Sequence, residues 1–152
     1  PRMIALGIDP GTRNTGLAVV TKLNGKTQVR VSKTVVTAGN DLVSQIGQIC
    51  EAIVRLDFVY EIDCVVVEDA LWYGMPKKGL LALAKVTGAA VAAAQIAGIP
   101  HVVLVPAAQR KKSRTPRALT KDAVTEHEKD AIELAVLAWR RTGPKNGGGA
   151  GS

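Results

Sequence analysis

Hydrophobic and polar positions in the first quarter of the chain follow the pattern of paired strands. Residues 2–9 form a nearly continuous apolar run that ends on Asp9, which is typical of a strand buried on both faces. A second apolar run covers residues 15–22, and the Asn-Gly pair soon after it is a strong hairpin signal. Residues 29–36 then alternate between apolar and polar side chains, as a half-exposed strand does. The pattern predicts an antiparallel meander of three strands.

The rest of the chain switches between helical and strand periodicity. Apolar residues spaced three or four apart predict helices, and short continuous apolar runs predict buried strands. The first predicted helix runs from a cap at Asn40 to about Leu56, and the second covers 77–97. Strands are predicted at 64–68 and 101–105. A last helix begins with capping-box spacing at 125–128 and runs to about Arg141.

This order of elements predicts an α/β fold. The sheet has five strands, of which three form the antiparallel meander and two are added in parallel, and helices cover both faces. We expect one domain over residues 1–142 and a flexible, Gly-rich tail over residues 143–152. Cys50 and Cys64 are too few and too far apart for a disulfide framework, and they are expected to be buried thiols.

No run of eighteen apolar residues and no signal peptide is evident in the sequence. We therefore expect a protein of the cytoplasm, in a bacterial or phage-infected cell, without contact with a membrane.

The charge of the chain indicates a class of binding partner. The 152-residue chain has a formal net charge of +7, and its basic residues are concentrated. The segment after the last predicted strand contains six of them and no acid: Arg110, Lys111, Lys112, Arg114, Arg117 and Lys121. Such a segment favours a polyanionic partner, most commonly nucleic acid, although a solvated loop has the same composition. Lys77, Lys78 and Lys85 are further candidates for phosphate contacts.

Acidic residues provide the candidate chemistry. Asp9 and Glu68 both end apolar strands, so they lie side by side at one sheet edge if those strands are parallel neighbours. His127 and Asp130, spaced i,i+3, share one face of the last helix. The three acids, with His127 beside them, predict a site with oxygen ligands for two Mg²⁺ ions, which activate water for attack on a phosphodiester. No small-molecule cofactor is expected.

Each acid also has an ordinary structural interpretation. Asp9 before Pro-Gly is consistent with a turn former, and His127 with an exposed residue of a first helical turn. Glu126 and Glu133 lie one turn either side of Asp130 and replace it if the helix has another register. Asp122 is a weaker alternative, and Asp69 is expected to point to the opposite face from Glu68.

Several of these segments resemble the RuvC-type Holliday-junction resolvases. The motif at 7–16, from Gly-Ile-Asp-Pro-Gly-Thr to Thr-Gly, is similar to their first motif, and 65–68 is similar to their second acidic strand. The Ala-rich helix around 83–89, the strand and Pro-containing exit at 101–110 and the motif at 127–131 complete a resemblance that runs to Arg141.

The resemblance implies an RNase H-like fold, a homodimer, and Mg²⁺-dependent nicking of two opposed strands of a four-way DNA junction, with Mn²⁺ able to substitute. It implies Asp9, Glu68 and Asp130 as metal ligands, with His127 at a fourth place where many members have an acid. His127 is then either a ligand or a proton shuttle. Resolution needs two symmetric nicks, so a C2 dimer fits the chemistry. The small residues of the helix at 77–97 permit a dimer contact or close packing within one chain.

The chain departs from the family pattern in two places. Only about twenty residues separate Gln109 from Asp130, which indicates a short, phage-type member. Leu71 stands where family members place an aromatic residue, and Trp72 and Tyr73 follow it. Their rings suit stacking on unpaired bases, although they also suit a hydrophobic plug beneath the next helix.

Two other functions remain open. An RNase H-like nuclease acting on RNA–DNA hybrids or on other branched DNA would share the fold. A non-catalytic nucleic-acid factor of the YqgF type has a similar first motif, although intact acids argue against it. Actin-like sugar kinases share the opening hairpin, but they need a second domain for which 152 residues leave no room.

Overall fold

The computed structural model describes residues 1–37, 41–70 and 76–142, with side chains described as far as Arg140. The strands are β1 (Arg2–Asp9), β2 (Asn14–Leu23), β3 (Lys26–Val36), β4 (Cys64–Glu68) and β5 (His101–Val105). The helices are α1 (Leu42–Tyr60), α2 (Lys77–Ile96), α3 (Ala107–Lys111), α4 (Arg117–Thr120) and α5 (Glu126–Thr142).

The strands form one mixed sheet in the order β3-β2-β1-β4-β5. The meander β1–β2–β3 is antiparallel, whereas β4 pairs in parallel with both β1 and β5. β1 is therefore the central strand, and its last residue, Asp9, lies opposite Gly16 of β2. The predicted fold class is confirmed in strand number and direction.

Helices cover the two faces of the sheet unequally. On one face, α1 and α2 pack on alternate residues of β1, including Leu6 and Ile8. On the other face, α5 packs on the intervening positions, such as Ala5. Residues at every second strand position thus enter different cores, as the pleat of a strand requires.

Helix α1 begins and ends at different residues from those predicted. Its N-cap is Asp41, whose carboxylate accepts a hydrogen bond of 3.1 Å from the backbone N–H of Val43. Asn40, the predicted cap, lies outside the described residues. The helix continues past Leu56 to Tyr60, because amphipathic spacing alone does not mark a helix end. It ends at Glu61, whose positive φ of 52° turns the chain into the left-handed region.

Helix α2 is long and largely apolar. By length and composition it is the one helix among the described residues that could cross a membrane. Its buried residues, including Val86, Ala90 and Ala94, contribute to the core beneath α1. Burial of this face accounts for part of the apolar composition.

The basic segment after β5 contains two short helices that the hydropathy pattern did not predict. Helix α3 follows Pro106 and α4 follows Pro116. Proline at a helix start provides a fixed φ and lacks an N–H that the first turn would leave unpaired anyway. Both described cysteines are free thiols, but only Cys64 is fully buried, and Cys50 is half-buried.

Candidate active site

Three carboxylates from three separate elements meet at one end of the sheet. Asp9 ends β1, Glu68 ends β4, and Asp130 lies in the second turn of α5. One carboxylate oxygen from each lies within 4.8 Å of the other two. Because β1 and β4 are parallel neighbours, their carboxyl ends share an edge, as predicted, and α5 brings the third acid across it.

Two glycines allow α5 to lie directly against the sheet. A Cβ atom on Gly7 would overlap the carbonyl oxygen of Ala131 and lie 2.7 Å from the backbone nitrogen of Ala135. A Cβ on Gly16 would overlap the carbonyl oxygen of His127. The neighbouring atoms belong to the helix backbone, so no change of rotamer can make room. Glycine at these two positions therefore sets the distance from α5 to Asp9.

The first turn of α5 is fixed by the predicted capping box. The Thr125 N–H donates to the Glu128 carboxylate at 3.1 Å, and the Glu128 N–H donates to the Thr125 hydroxyl at 3.1 Å. Two residues of β3 also contact the start of α5. The Ser32 hydroxyl donates to the Glu128 carboxylate at 3.3 Å, and the hydroxyl oxygens of Thr34 and Thr125 are 2.8 Å apart. The helix start is thus attached to the edge strand of the sheet.

His127 contacts Asp9 directly. Its Nδ1 lies 2.9 Å from Asp9 Oδ2, and the imidazole side chain is 40% exposed whereas the Asp9 side chain is 12% exposed. The contact holds one ring nitrogen at the acid cluster. A partly exposed imidazole in this position can accept or release a proton beside the carboxylates.

Crowding of the acids changes their ionisation. Burial, a hydrogen bond with Glu68 and the negative charges of Glu68 and Asp130 raise the pKa of Asp9 to about 8, although Arg110 lowers it. Burial also raises the pKa of Asp130, against the opposing effect of Arg110. Buried like charges at this separation are costly unless a cation lies between them, so the arrangement favours cation binding.

Arg110 lies inside the acid cluster. Its Nε donates to Glu68 at 3.3 Å, and its Nη1 donates to Asp130 at 2.8 Å and to Glu133 at 2.9 Å. Its side chain is only 11% exposed. Burial alone would lower the pKa of Arg110, but these carboxylates raise it above its ordinary value. The sequence placed Arg110 among the surface cations, and nothing in the sequence pattern separates it from its neighbours.

The other predicted DNA-contacting residues are arranged differently. Lys77, Lys78, Lys85, Lys111, Lys112, Arg114 and Arg117 are all exposed. No ion pair within the described residues involves any of these seven. Trp72 and Tyr73 lie outside the described residues.

The alternative acids take other positions. Glu133 pairs with Arg110, and the described cluster of possible metal-binding groups consists of Asp9, Glu68 and Asp130 without it. Asp69 lines a small cavity beside Thr87 and Val91 of α2, and it also borders the larger cavity next to Asp9 and Glu68.

A cavity of about 530 Å³ adjoins the acids. Asp9, Glu68 and Asp69 are among its polar residues, and Leu83 and Ala107 are among its apolar ones. A groove of this kind can hold a chain whose charged groups face the acids through a cation and whose apolar parts face the opposite wall.

A mixed sheet of this order, with acids on its central strand, on the next parallel strand and on the last helix, defines the RNase H-like class. The family described as crossover junction endodeoxyribonuclease RuvC matches residues 5–136. The chain belongs to this RuvC family. The resemblance inferred from the motifs is therefore confirmed.

Two curated relatives carry the same description. The RuvC protein of Campylobacter lari is 37% identical over 87 residues, which cover 57% of this chain and 54% of that protein. The RuvC protein of Tolumonas auensis is 34% identical over 97 residues, which cover 64% of this chain and 56% of that protein. The matched region thus spans about half the length of these relatives.

A solved structure shows the same fold over nearly the whole chain. Thermus thermophilus RuvC, in complex with a Holliday junction substrate, superimposes with a TM-score of 0.78 and 22% sequence identity. The superposition covers 93% of this chain and 96% of that one.

The RuvC family is metal-dependent, and the residues present fit that requirement. Three carboxylates, one on each of three firmly packed elements, are the oxygen ligands that hard divalent cations prefer. The raised pKa of Asp9 fits as well, because a bound cation would offset the burial and the charge repulsion that raise it.

Proposed function

We propose that this protein is a metal-dependent, structure-selective DNA endonuclease that resolves four-way junctions by symmetric paired nicks. The observation that carries the proposal is the meeting of Asp9, Glu68 and Asp130 within 4.8 Å, on a fold shared with a RuvC protein that binds a Holliday junction. The names of the curated relatives support the same activity.

The proposed site holds two Mg²⁺ ions, for which Mn²⁺ can substitute. Asp9, Glu68 and Asp130 are the proposed ligands, with His127 as a fourth ligand or a proton shuttle. When bound, the metals supply an activated water nucleophile and stabilise the leaving oxygen of the phosphodiester. Asp9 has to be ionised to bind them, and His127, 2.9 Å away, is placed to take a proton from the site.

We propose that the exposed cations hold the DNA backbone. Lys111, Lys112, Arg114 and Arg117 lie on the segment that leads from β5 to α5, and Lys77, Lys78 and Lys85 lie on α2. Phosphate contacts position DNA without reading its sequence. Trp72 and Tyr73 are proposed to stack on unpaired bases. Replacing Lys112 by Gln should weaken junction binding and lower the slope of log affinity against log salt by about one.

We propose a homodimer formed through the exposed side of α2. Leu81 is 61% exposed and Ile96 is 86% exposed on this helix. Nothing lies within 4 Å of a Cβ built on Gly88, so that residue leaves space for a second backbone. A C2 dimer provides the two active sites that paired nicks need. Sedimentation equilibrium of the wild type and of Gly88→Leu tests this contact, and a monomeric wild type would overturn it.

We also propose that residues 1–142 are the nuclease domain and 143–152 a flexible tail, and that the protein acts in the cytoplasm without a membrane or a small-molecule cofactor. Removal of residues 143–152 should leave the unfolding midpoint unchanged.

The decisive experiment measures cleavage of an immobile four-way junction with Mg²⁺. We expect paired nicks that leave 5′-phosphate and 3′-hydroxyl ends from the wild type, and a loss of at least about a thousandfold in rate for Asp9→Asn and Asp130→Asn. Asp122→Asn makes the same chemical change at an exposed position and should cleave normally.

Two outcomes would separate the parts of the proposal. If the wild type binds the junction but leaves it intact while it digests an RNA–DNA hybrid, the substrate is wrong and the RNase H-like alternative is correct. If Asp9→Asn cleaves the junction at the normal rate, the metal-site assignment is wrong. For His127→Ala, rescue by Mn²⁺ would identify a metal ligand, and failure of rescue would favour the proton shuttle.

A further inference from the structure

A protein cation already occupies the candidate metal site. The Arg110 guanidinium lies within 3.3 Å of Glu68 and 2.8 Å of Asp130, which are two of the three proposed ligands. Its side chain is 11% exposed, so this contact is shielded from the screening that weakens surface ion pairs. Glu68 Oε1 and Asp130 Oδ1 accept these N–H groups, so a divalent cation has to compete with Arg110 for their lone pairs.

The third partner of Arg110 is separate from the proposed ligand set. Glu133 accepts from Nη1 at 2.9 Å, one helical turn beyond Asp130 on α5. It offers no atom to the cluster of possible metal ligands within the described residues. Arg110 therefore has a carboxylate that it can keep when Glu68 and Asp130 turn towards a metal.

Local structure explains why this arginine, and not another, reaches the acids. Arg110 lies on α3, which begins directly after Pro106 at the end of β5. β5 is the parallel neighbour of β4, and Val105 pairs with Glu68 itself. A residue in the single turn after β5 is thus brought back over the edge where the acids lie, whereas Lys111 and Lys112 point to solvent.

We propose that Arg110 is the resident counter-ion of the metal site, held by Glu133, and that a divalent cation binds by taking Glu68 and Asp130 from it. The proposal rests on the metal site described under the proposed function. Arg110 is a positioning residue in this scheme, and it keeps the acids together before metal arrives. It also raises the metal concentration at which the site fills.

The positive charge of Arg110 determines the direction in which its loss changes metal affinity. Removing a positive charge from beside the ligands removes both a competitor for their oxygens and a repulsion on the incoming cation. Metal affinity should therefore rise on loss of Arg110, while the metal-free protein becomes less stable because buried carboxylates are left unpaired. A merely structural role would predict the reverse for affinity, since a loosened site binds metal less well.

The test measures binding of Mg²⁺ and Mn²⁺ to the free protein by calorimetry and by the electron paramagnetic resonance of Mn²⁺, without DNA. We expect Arg110→Gln to bind the first ion on the order of tenfold more tightly than the wild type. Arg110→Lys keeps the charge but not the forked geometry, so it should fold well and give an intermediate affinity. Arg30→Gln removes an exposed arginine on β3 and should leave the affinity unchanged.

Glu133→Gln provides an independent measurement. It removes the alternative partner of Arg110, so it should weaken metal binding in the wild type by more than it does in Arg110→Gln. Equal weakening in both backgrounds would show that Glu133 acts on the metal by its charge alone and would overturn its role as the holder of Arg110.

The outcomes distinguish the counter-ion proposal from the metal-site proposal on which it rests. Unchanged or weaker metal binding in both Arg110→Gln and Arg110→Lys, with wild-type binding intact, overturns the counter-ion role and leaves the nuclease proposal in place. Failure of the wild type and all variants to bind Mg²⁺ or Mn²⁺ overturns the metal site itself.

Discussion

The two faces of the sheet are built in different ways. On one face, α1 and α2 are held away from the strands by a layer of side chains that includes Leu6, Ile53 and Val86. On the other, α5 contacts the strands through its backbone at Gly7 and Gly16. The acids Asp9 and Glu68 lie at alternate strand positions that face α5.

The difference shows that one face of the sheet mainly provides stability, whereas the other fixes the positions of the acids. A layer of apolar side chains can adjust to small changes of volume, at a modest cost. A contact between backbones has no such freedom, because neither partner can change a rotamer. The face that needs Asp130 within 4.8 Å of Asp9 is the one built by backbone contact.

The largest expected effect comes from filling the backbone contact. Gly7→Ala places a methyl group on the Ala131 carbonyl oxygen, so α5 has to move. We expect a loss of at least about 3 kcal/mol in the free energy of unfolding and a loss of Mg²⁺ binding, because Asp130 moves with the helix. Urea denaturation and calorimetry measure these two effects. An unfolding midpoint equal to that of the wild type would show that the close approach of α5 is not required.

The next effect is a dependence of metal-free stability on pH. The pKa of Asp9 is about 8 in the folded protein, compared with 3.8 for the free side chain. Between these two pH values the folded state keeps a proton that the unfolded chain has lost. Stability should therefore fall as pH rises through this window, by about 1 kcal/mol or less for each pH unit.

Urea unfolding in EDTA at pH 5 and pH 8 measures this dependence. Asp9→Asn cannot ionise, so it should show a smaller fall than the wild type, and Mg²⁺ should restore wild-type stability at pH 8. A wild type that is more stable at pH 8 than at pH 5 in EDTA would contradict the assignment of this pKa. The face packed by α1 and α2 has no buried ion pair among its described residues to produce such a dependence.

A smaller effect is expected from truncation on the side-chain face. Ile53→Val removes one buried methyl group beneath α1, and we expect a loss of about 0.5–1.5 kcal/mol in the free energy of unfolding. Mg²⁺ affinity and junction cleavage should not change, because α1 contributes no residue to the site. A matching loss of metal affinity would show that the two faces are coupled.

The smallest effect has the opposite sign. Gly47 lies in α1 with nothing within 4 Å of a Cβ built on it, so Gly47→Ala meets no obstacle. Alanine restricts the unfolded chain and favours a helix, and we expect a gain of about 0.5–1 kcal/mol. Comparison of Gly47→Ala with Gly7→Ala by urea denaturation isolates the backbone contact from the general effect of replacing glycine. A destabilised Gly47→Ala would remove that contrast.

Local patterns were sufficient to predict most of the fold. Strand periodicity gave all five strands, and the Thr125–Glu128 spacing gave the capping box at the start of α5. The ends of α1 were not predictable to the residue, because the Asp41 carboxylate caps its start and the left-handed backbone of Glu61 ends it, and hydropathy encodes neither. The short helices α3 and α4 were missed because charge dominates the composition of that segment.

The candidate site was predictable in its acids but not in its supporting residues. Asp9 and Glu68 are visible because an acid at the end of an apolar strand is conspicuous. The contact of Gly7 with Ala131 joins residues from opposite ends of the chain, and no local pattern reveals it. Arg110 was grouped with its basic neighbours, since only the three-dimensional position of α3 separates it from them.

The distance along the chain between the parts of the site has a consequence for synthesis. Asp9 and His127 touch although 118 residues separate them, and α5 is the last of the described elements to be made. Asp9 leaves the ribosome about ten seconds before the helix that completes the site. A nascent chain therefore carries no assembled acid cluster, and a fragment that ends before residue 126 should be harmless to the DNA of the cell that makes it.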